Sequence, residues 1–141
     1  MEIADVRRRI HETIERAKRA AAERRTRGDE ASRAFDMFLE STAVPLFRQV
    51  ANVLKAEGYH FTVFTPAGAV RLMSDRSGED YIEIILDSSG DAPRVMGRTR
   101  RSRGRRVVDA ERVVGSGQPE LVREEDVLAF LSKELEPFVE R

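Results

Sequence analysis

Apolar side chains along the first 57 residues recur at intervals of three and four positions, a spacing typical of amphipathic helices. From Ile3 to Arg25 the apolar stripe consists of isoleucine, valine and alanine, and charged residues fill the other faces. Gly28 indicates a break, and Asp29 is a suitable N-cap because its carboxylate accepts from the free amides of the next turn. The pattern therefore predicts a helical hairpin over residues 1–57.

The second predicted helix carries larger apolar residues and ends at Gly58, since glycine is a common C-terminal stop. Its apolar positions are Ala31, Phe35, Phe38, Leu39, Leu46, Phe47, Val50, Val53 and Leu54. Pro45 lies inside this helix, where it removes one backbone donor and crowds the preceding turn. We therefore predict a kink or a restart between Thr42 and Pro45.

After Gly58 the apolar pattern changes to an alternation of two, rich in aromatic and β-branched residues. The predicted strands are Tyr59–Thr65, Ala69–Ser74, Tyr81–Asp87, Arg94–Arg100 and Arg106–Val114. Their short connections favour an antiparallel meander of four to five strands, with a bulge expected near Asp109. The alternation in the third strand predicts that Ile82, Ile84 and Leu86 face the core.

A last helix is predicted from about Arg123 to Glu136, with acidic residues in its first turn where the helix dipole favours negative charge. Helices segregated from an antiparallel sheet give an α+β fold, and 141 residues is the size of one domain. We therefore predict a single α+β domain. It consists of a helical hairpin (1–57), an antiparallel sheet (58–117) and a C-terminal helix (118–141).

The composition excludes several classes of function. There are no cysteines, which removes disulfides and thiolate chemistry, and only two histidines. The 25 basic and 25 acidic residues balance, so no net field steers the molecule toward nucleic acid or membrane. No apolar run approaches the roughly 18 residues of a membrane span, and the arginine-rich N-terminal segment is interrupted by acids, unlike a transit peptide. These features predict a cytoplasmic protein without a membrane partner.

The densest run of like charge lies in the two last predicted strands. Seven arginines fall there without an intervening acid: Arg94, Arg98, Arg100, Arg101, Arg103, Arg105 and Arg106. Such a hairpin could neutralise several phosphates of DNA or RNA, although no aromatic residue between Asp87 and Glu111 can stack on a base. Other roles for the arginines are binding an acidic protein face, offsetting the acidic C-terminal helix, and protecting a strand edge from unwanted pairing.

Motifs that could support catalysis or ligand binding are weak. His11 and Glu15 lie four residues apart, but no third metal ligand is near in sequence. The loop at 87–91 lacks the residue order of a calcium loop, and the Gly-Ser-Gly at 115–117 is separated from the following helix. We therefore predict no catalytic residues, no metal, no cofactor and no small-molecule substrate.

The function favoured by these observations is a non-catalytic protein-interaction or adaptor domain. We expect self-association, such as a homodimer, through the N-terminal helices, because their long stripe exceeds what one small sheet can cover. The order helix, meander, helix resembles the layout of small bacterial chaperones of secreted effectors, which implies a chaperone-like role. The alternative is nucleic-acid binding through the hairpin at 94–106. A deep pocket joining Tyr59, His60 and carboxylates from 79–91 would instead favour an enzyme.

Overall fold

The computed structural model describes residues 1–140 and confirms the α+β class. The helices are α1 (Ile3–Phe38), a π-helical segment (Leu39–Ala43), α2 (Val44–Ala56) and α3 (Glu124–Val139). The strands are β1 (Phe61–Phe64), β2 (Ala69–Ser74), β3 (Tyr81–Asp87), β4 (Arg94–Arg103) and β5 (Arg106–Val113).

The N-terminal helix is one run of 36 residues, so the break predicted at Gly28 and Asp29 is wrong. The helical hairpin over residues 1–57 is wrong with it, because the backbone stays right-handed helical through Phe38 and Val44 into α2. A glycine inside a helix costs only about 1 kcal/mol relative to alanine. Within residues 1–140, no tertiary contact at this position would stabilise a turn. The helix therefore stays continuous and keeps its backbone hydrogen bonds.

The disturbance predicted before Pro45 is present as the π-helical segment Leu39–Ala43. Pro45 lies in the first turn of α2, and its missing N–H is accommodated by the wider turn that precedes it. Ser41 Oγ donates to the Met37 carbonyl oxygen at 2.6 Å and supplies a further bond to the helix at this point.

The five strands form an antiparallel sheet in the order β1-β2-β3-β4-β5, as the predicted meander requires. Three of the predicted strands are close to their observed bounds, whereas β1 is shorter and β4 extends to Arg103. The bulge expected near Asp109 is absent, because Arg100 pairs with Asp109 and Thr99 with Ala110 in one continuous register.

The core lies between one face of the sheet and the helices. Ile82 and Ile84 are fully buried there, and Leu86 packs at the margin, which confirms the predicted core face of the third strand. The helices contribute Phe35, Phe38, Phe47, Val127, Phe130 and Leu131 to the same cluster. The opposite face of the sheet carries mainly charged and polar side chains on β3 and β4.

Gly97 on β4 lies directly beneath the Phe130 ring of α3. A Cβ added at this position would meet Cε1 and Cζ of the Phe130 ring, and that ring is buried. The absence of a side chain at Gly97 therefore sets the depth at which α3 packs on the sheet.

We expect Gly97→Ala to destabilise the fold by about 1–3 kcal/mol, because the added methyl forces Phe130 out of a close-packed position. Gly90→Ala is the matched control, since open space surrounds Gly90, and its effect should stay within about 0.5 kcal/mol. Urea unfolding measures both changes. Equal stability of the two variants would show that Phe130 does not limit the approach of α3.

Candidate functional site

The first candidate surface is the N-terminal part of α1, residues 3–30, which we call the arm. The buried residues of α1 begin only at Ala31, so the arm lies outside the core. At about 1.5 Å per residue it is about 42 Å long. Its large apolar side chains are exposed: Ile3 by 76%, Val6 by 44%, Ile10 by 56% and Ile14 by 46%.

The apolar stripe of the arm follows a seven-residue repeat that continues into the core. One series is Ile3, Ile10, Ala17, Ala31 and Phe38, and the other is Ile14, Ala21, Gly28 and Phe35. This alternation of three and four residues is the spacing of the contact positions in a coiled coil. Arg24 interrupts the first series and Arg7 the second. The stripe thus has the geometry of a helix-pairing seam.

The remaining faces of the arm carry charged side chains that are exposed to solvent. Arg8 Nη2 lies 3.0 Å from Asp5 Oδ1, and Lys18 Nζ lies 4.0 Å from Glu15 Oε1, all on exposed side chains. Pairs of this kind contribute only about 0.2–0.5 kcal/mol each to an isolated helix. His11 and Glu15 share this region, and within residues 1–140 no group of three or more histidines, aspartates and glutamates could hold a metal ion.

The second candidate surface is the arginine set predicted from sequence, which the strands divide between two faces. Arg94, Arg98 and Arg100 alternate onto the face away from the helices, whereas Arg101, Arg103 and Arg106 share the face that bears Ile82 and Ile84. Arg105 lies in the two-residue turn with Gly104, whose positive φ suits a tight hairpin. The seven arginines therefore do not form one continuous strip.

A row of alternating charges crosses the face away from the helices. The row runs through Arg71, Glu83, Arg98 and Glu111, which are direct cross-strand neighbours on β2 to β5. Arg71 Nη2 lies 2.7 Å from Glu83 Oε2, and the Arg71 guanidinium also lies 4.1 Å from the centre of the Tyr81 ring. Opposite charges at directly paired positions stabilise a sheet, so this row is structural.

Two members of the predicted arginine set lie next to carboxylates of β5 on this charged face. Arg98 Nε lies 3.1 Å from Glu111 Oε1, and Arg100 Nε lies 3.8 Å from Asp109 Oδ1, both without the alignment of a hydrogen bond. Their acidic neighbours are determined by the register of β4 and β5. That register cannot be deduced from the number of arginines in the sequence. Arg98 and Arg100 are thus held by partners within the chain.

The four arginines at the end of the hairpin, Arg101, Arg103, Arg105 and Arg106, form what we call the tip. Among residues 1–140, none of the four makes an ion pair with a carboxylate. Arg103 is paired directly opposite Arg106, a placement of like charges that destabilises a hairpin. A shallow groove separates the tip from Pro137 and Glu140 at the end of α3.

The acidic C-terminal helix takes its arginine partner from outside the predicted set. Arg112 Nε on β5 lies 2.7 Å from Glu134 Oε1, and Glu134 is almost fully buried. This pair ties the edge strand to α3. The ion pair with the acidic helix is therefore made by Arg112, which lies after the dense arginine run in the sequence, and not by a member of the predicted set.

Two aspartates position the backbone around the hairpin. Asp80 is fully buried, and its Oδ1 accepts a hydrogen bond from the Ser102 N–H at 2.7 Å. Asp87 accepts hydrogen bonds from the side chain and the backbone N–H of Ser89, and these bonds, with the charges of Arg98 and Arg94, lower the pKa of its carboxyl below the usual value. Asp87 thus acts as the turn former that its sequence context indicates.

A cavity of about 290 Å³ lies between Tyr59, His60, Asp75 and Phe138. Two of its polar side chains form hydrogen bonds: the Tyr59 hydroxyl donates to the Val139 carbonyl oxygen at 3.4 Å, and Asp75 Oδ1 accepts from Thr62 Oγ1 at 2.8 Å. No carboxylate from residues 79–91 lines this cavity. The arrangement expected of an enzyme is therefore not assembled around His60.

Within residues 1–140, none of the helices combines the length and the apolar character needed to cross a membrane. No protein-family model matches this chain, and no match is found among curated proteins or solved structures. The candidate surfaces are therefore judged on their geometry and chemistry.

The charged row generates a stability prediction. Glu83 is 4% exposed between Arg71 and Arg98, so we expect Glu83→Gln to cost about 1–3 kcal/mol by removing the carboxylate partner of Arg71 and the negative charge beside Arg98. Glu111→Gln, at the exposed end of the row, should cost no more than about 1 kcal/mol. Denaturant unfolding of both variants provides the measurement. A larger loss for Glu111→Gln would contradict the assignment of Glu83 as the centre of the row.

Proposed function

We propose that this protein is a non-catalytic interaction domain that self-associates through the arm. The observation that carries the proposal is the exposed stripe of Ile3, Ile10 and Ile14 on a seven-residue repeat, with the exposed Val6 beside it. Isolated exposed apolar residues are common on protein surfaces, whereas a contiguous apolar stripe marks an interaction site. An adaptor or chaperone-like role is compatible with such a domain.

The composition of the arm favours a protein helix over a membrane surface as its partner. A helix that lies on a membrane has tryptophan, phenylalanine or leucine on its apolar face and mainly basic residues on the other. The arm has only isoleucine, valine and alanine on its stripe, and acids such as Glu12, Glu15 and Glu23 share its polar faces with the arginines. Small side chains permit the close approach of a second helix.

The size of the stripe sets the expected affinity. Burying the four exposed branched side chains of each of two copies contributes on the order of 10 kcal/mol. Association costs at least about 4 kcal/mol in lost translational and rotational freedom. The difference of about 6 kcal/mol corresponds to a dissociation constant of about 40 µM.

The test of self-association is the molar mass in solution. At about 500 µM in the eluted peak, roughly ten times this dissociation constant, size-exclusion chromatography with light scattering should give a mass close to that of a dimer. Ile10→Glu combined with Ile14→Glu should give a monomer, because two charges enter the seam of each copy. The monomeric variant should also lose helical circular dichroism, since an unpaired helix is only marginally stable in water.

The control for these variants is Thr26→Glu, which introduces the same kind of charge on the opposite side of the arm from Ile10. It should remain a dimer. A wild-type protein that is strictly monomeric at this concentration would refute self-association. Dissociation by Thr26→Glu as readily as by the seam variant would refute the stripe as the interface.

A second candidate function is phosphate-backbone binding by the tip. The observation that favours it is the placement of Arg103 opposite Arg106 without an ion-pair partner among residues 1–140. An external polyanion would relieve this repulsion. Since no aromatic residue between Asp87 and Glu111 can stack on a base, binding to DNA or RNA would depend little on sequence.

Filter binding with mixed-sequence DNA and RNA tests this second function. In about 50 mM salt we expect binding that falls steeply as salt rises, and replacement of Arg103, Arg105 and Arg106 by serine should reduce the salt slope by about 3. The matched variant replaces Arg94, Arg98 and Arg100 by serine, removes the same charge from the other face, and should retain most of the binding. Absence of wild-type binding at this salt concentration would exclude the tip as a nucleic-acid site.

A further inference from the structure

The apolar stripe of the arm changes in side-chain size along its length. The first half carries Ile3, Val6, Ile10 and Ile14, and the second half carries Ala17, Ala20, Ala21 and Gly28. A parallel pair in register places every residue opposite its own copy, so the second half would leave a gap between the helices. An antiparallel pair sets a large residue at the start of one stripe, Ile3, against a small residue of the other, Ala21, and so reduces this gap.

The rest of the domain, which we call the body, comprises the end of α1 from Ala31, α2, the sheet and α3. It excludes a parallel pair on steric grounds. Ala31 and Phe38 continue the series of Ile3 and Ile10, and Phe35 and Phe38 belong to the buried cluster that contains Ile82, Ile84 and Val127. The body therefore lies on the same side of α1 as the stripe. In a parallel pair, the two bodies would occupy the same space between the helices.

The register follows from the two arginines in the seam. Antiparallel registers that keep the seams in contact differ by steps of seven residues. In one of them Ile10 meets Ile14 of the second copy, Ile3 meets Ala21, and Arg7 extends over Ala17. The seam arginine Arg24 then lies beyond Ile3, the residue at which α1 of the second copy begins.

The neighbouring registers are less favourable. With seven residues more overlap, Arg7 meets Arg24 of the second copy, and like charges oppose each other in the seam. When the overlap increases by seven further residues, Ile3 of the second copy is level with Phe35. Phe35 is already buried in the core of the body, so no contact is free there. With seven residues less overlap, Arg7 meets Ile10, and Ala17 and Ala21 have no partner.

We infer that two copies of this chain pair through their arms in an antiparallel arrangement, with the two-fold axis between Ile10 and Ile14. This inference rests on the self-association proposed above. The same residues of both copies then form a closed, symmetric interface, with Val6 beside Ala20 of the second copy. The bodies lie at opposite ends, with the two Ala31 positions about 57 Å apart along the helix axis.

Disulfide trapping tests the arrangement, because the chain has no cysteines of its own. One chain carries Ile3→Cys and a second, extended by a tag to change its size, carries Ala21→Cys. Mild oxidation of the mixture should give the mixed disulfide. Each variant alone should stay reduced, since the identical positions of two copies lie about 27 Å apart and a disulfide spans less than about 7 Å between Cα atoms.

Each other outcome overturns a defined part of the inference. A disulfide between two Ala21→Cys chains would show parallel pairing. A disulfide between Ile3→Cys and Gly28→Cys chains, with none between Ile3→Cys and Ala21→Cys, would show the register with longer overlap. If no disulfide forms while light scattering of the reduced mixtures gives a dimer, the antiparallel pairing fails and self-association stands. If the mixtures and the wild type are monomeric, the proposed function itself fails.

Discussion

The burial of Phe35 and Phe38 against the sheet is the contact on which the rest of the structure depends. These two rings, 5.9 Å apart, bring the last turns of α1 into the same cluster as Ile82 and Ile84. Because α1 is continuous, fixing its end also fixes the direction of the 28 residues that precede Ala31. The arm is therefore a direct extension of the core, and its exposed stripe is the continuation of the buried one.

The two faces of the sheet are covered by different kinds of side chain. One face buries apolar residues under the helices, and Gly97 lets the Phe130 ring approach the backbone. The other face is closed by side chains that lie across it, with Glu83 almost completely covered between two arginines. The charges of this face follow the register, so its stability depends on the pairing of β2 to β5 as much as on residue type.

The strands and the core face were predictable from the sequence because an alternation of two residues is a strong local signal. The course of the N-terminal helix was not, because a single glycine changes helix stability by only about 1 kcal/mol and packing decides the outcome. Gly28 lies in the exposed arm, where nothing within residues 1–140 packs against a turn. Pro45 removes a donor in any environment, so its effect was predictable.

The arginine set illustrates a different limit. Along the sequence, Arg100 and Arg101 are neighbours in one dense run, yet the pleat sends them to opposite faces of the sheet. The alternation itself was readable from sequence, but the acidic partners Asp109 and Glu111 required the register of β4 and β5. Knowledge of that register reduces the candidate surface from seven arginines to the four of the tip.

The two candidate surfaces differ in what they would gain from a partner. At the tip, a partner would relieve the repulsion of Arg103 and Arg106, which salt also screens. In the arm, exposed ion pairs contribute only a few tenths of a kcal/mol each, and a helix without packing is marginally stable in water. A second helix on the stripe would supply the packing that the folded core supplies only from Ala31 onward, so pairing through the stripe would stabilise the helical state of the arm.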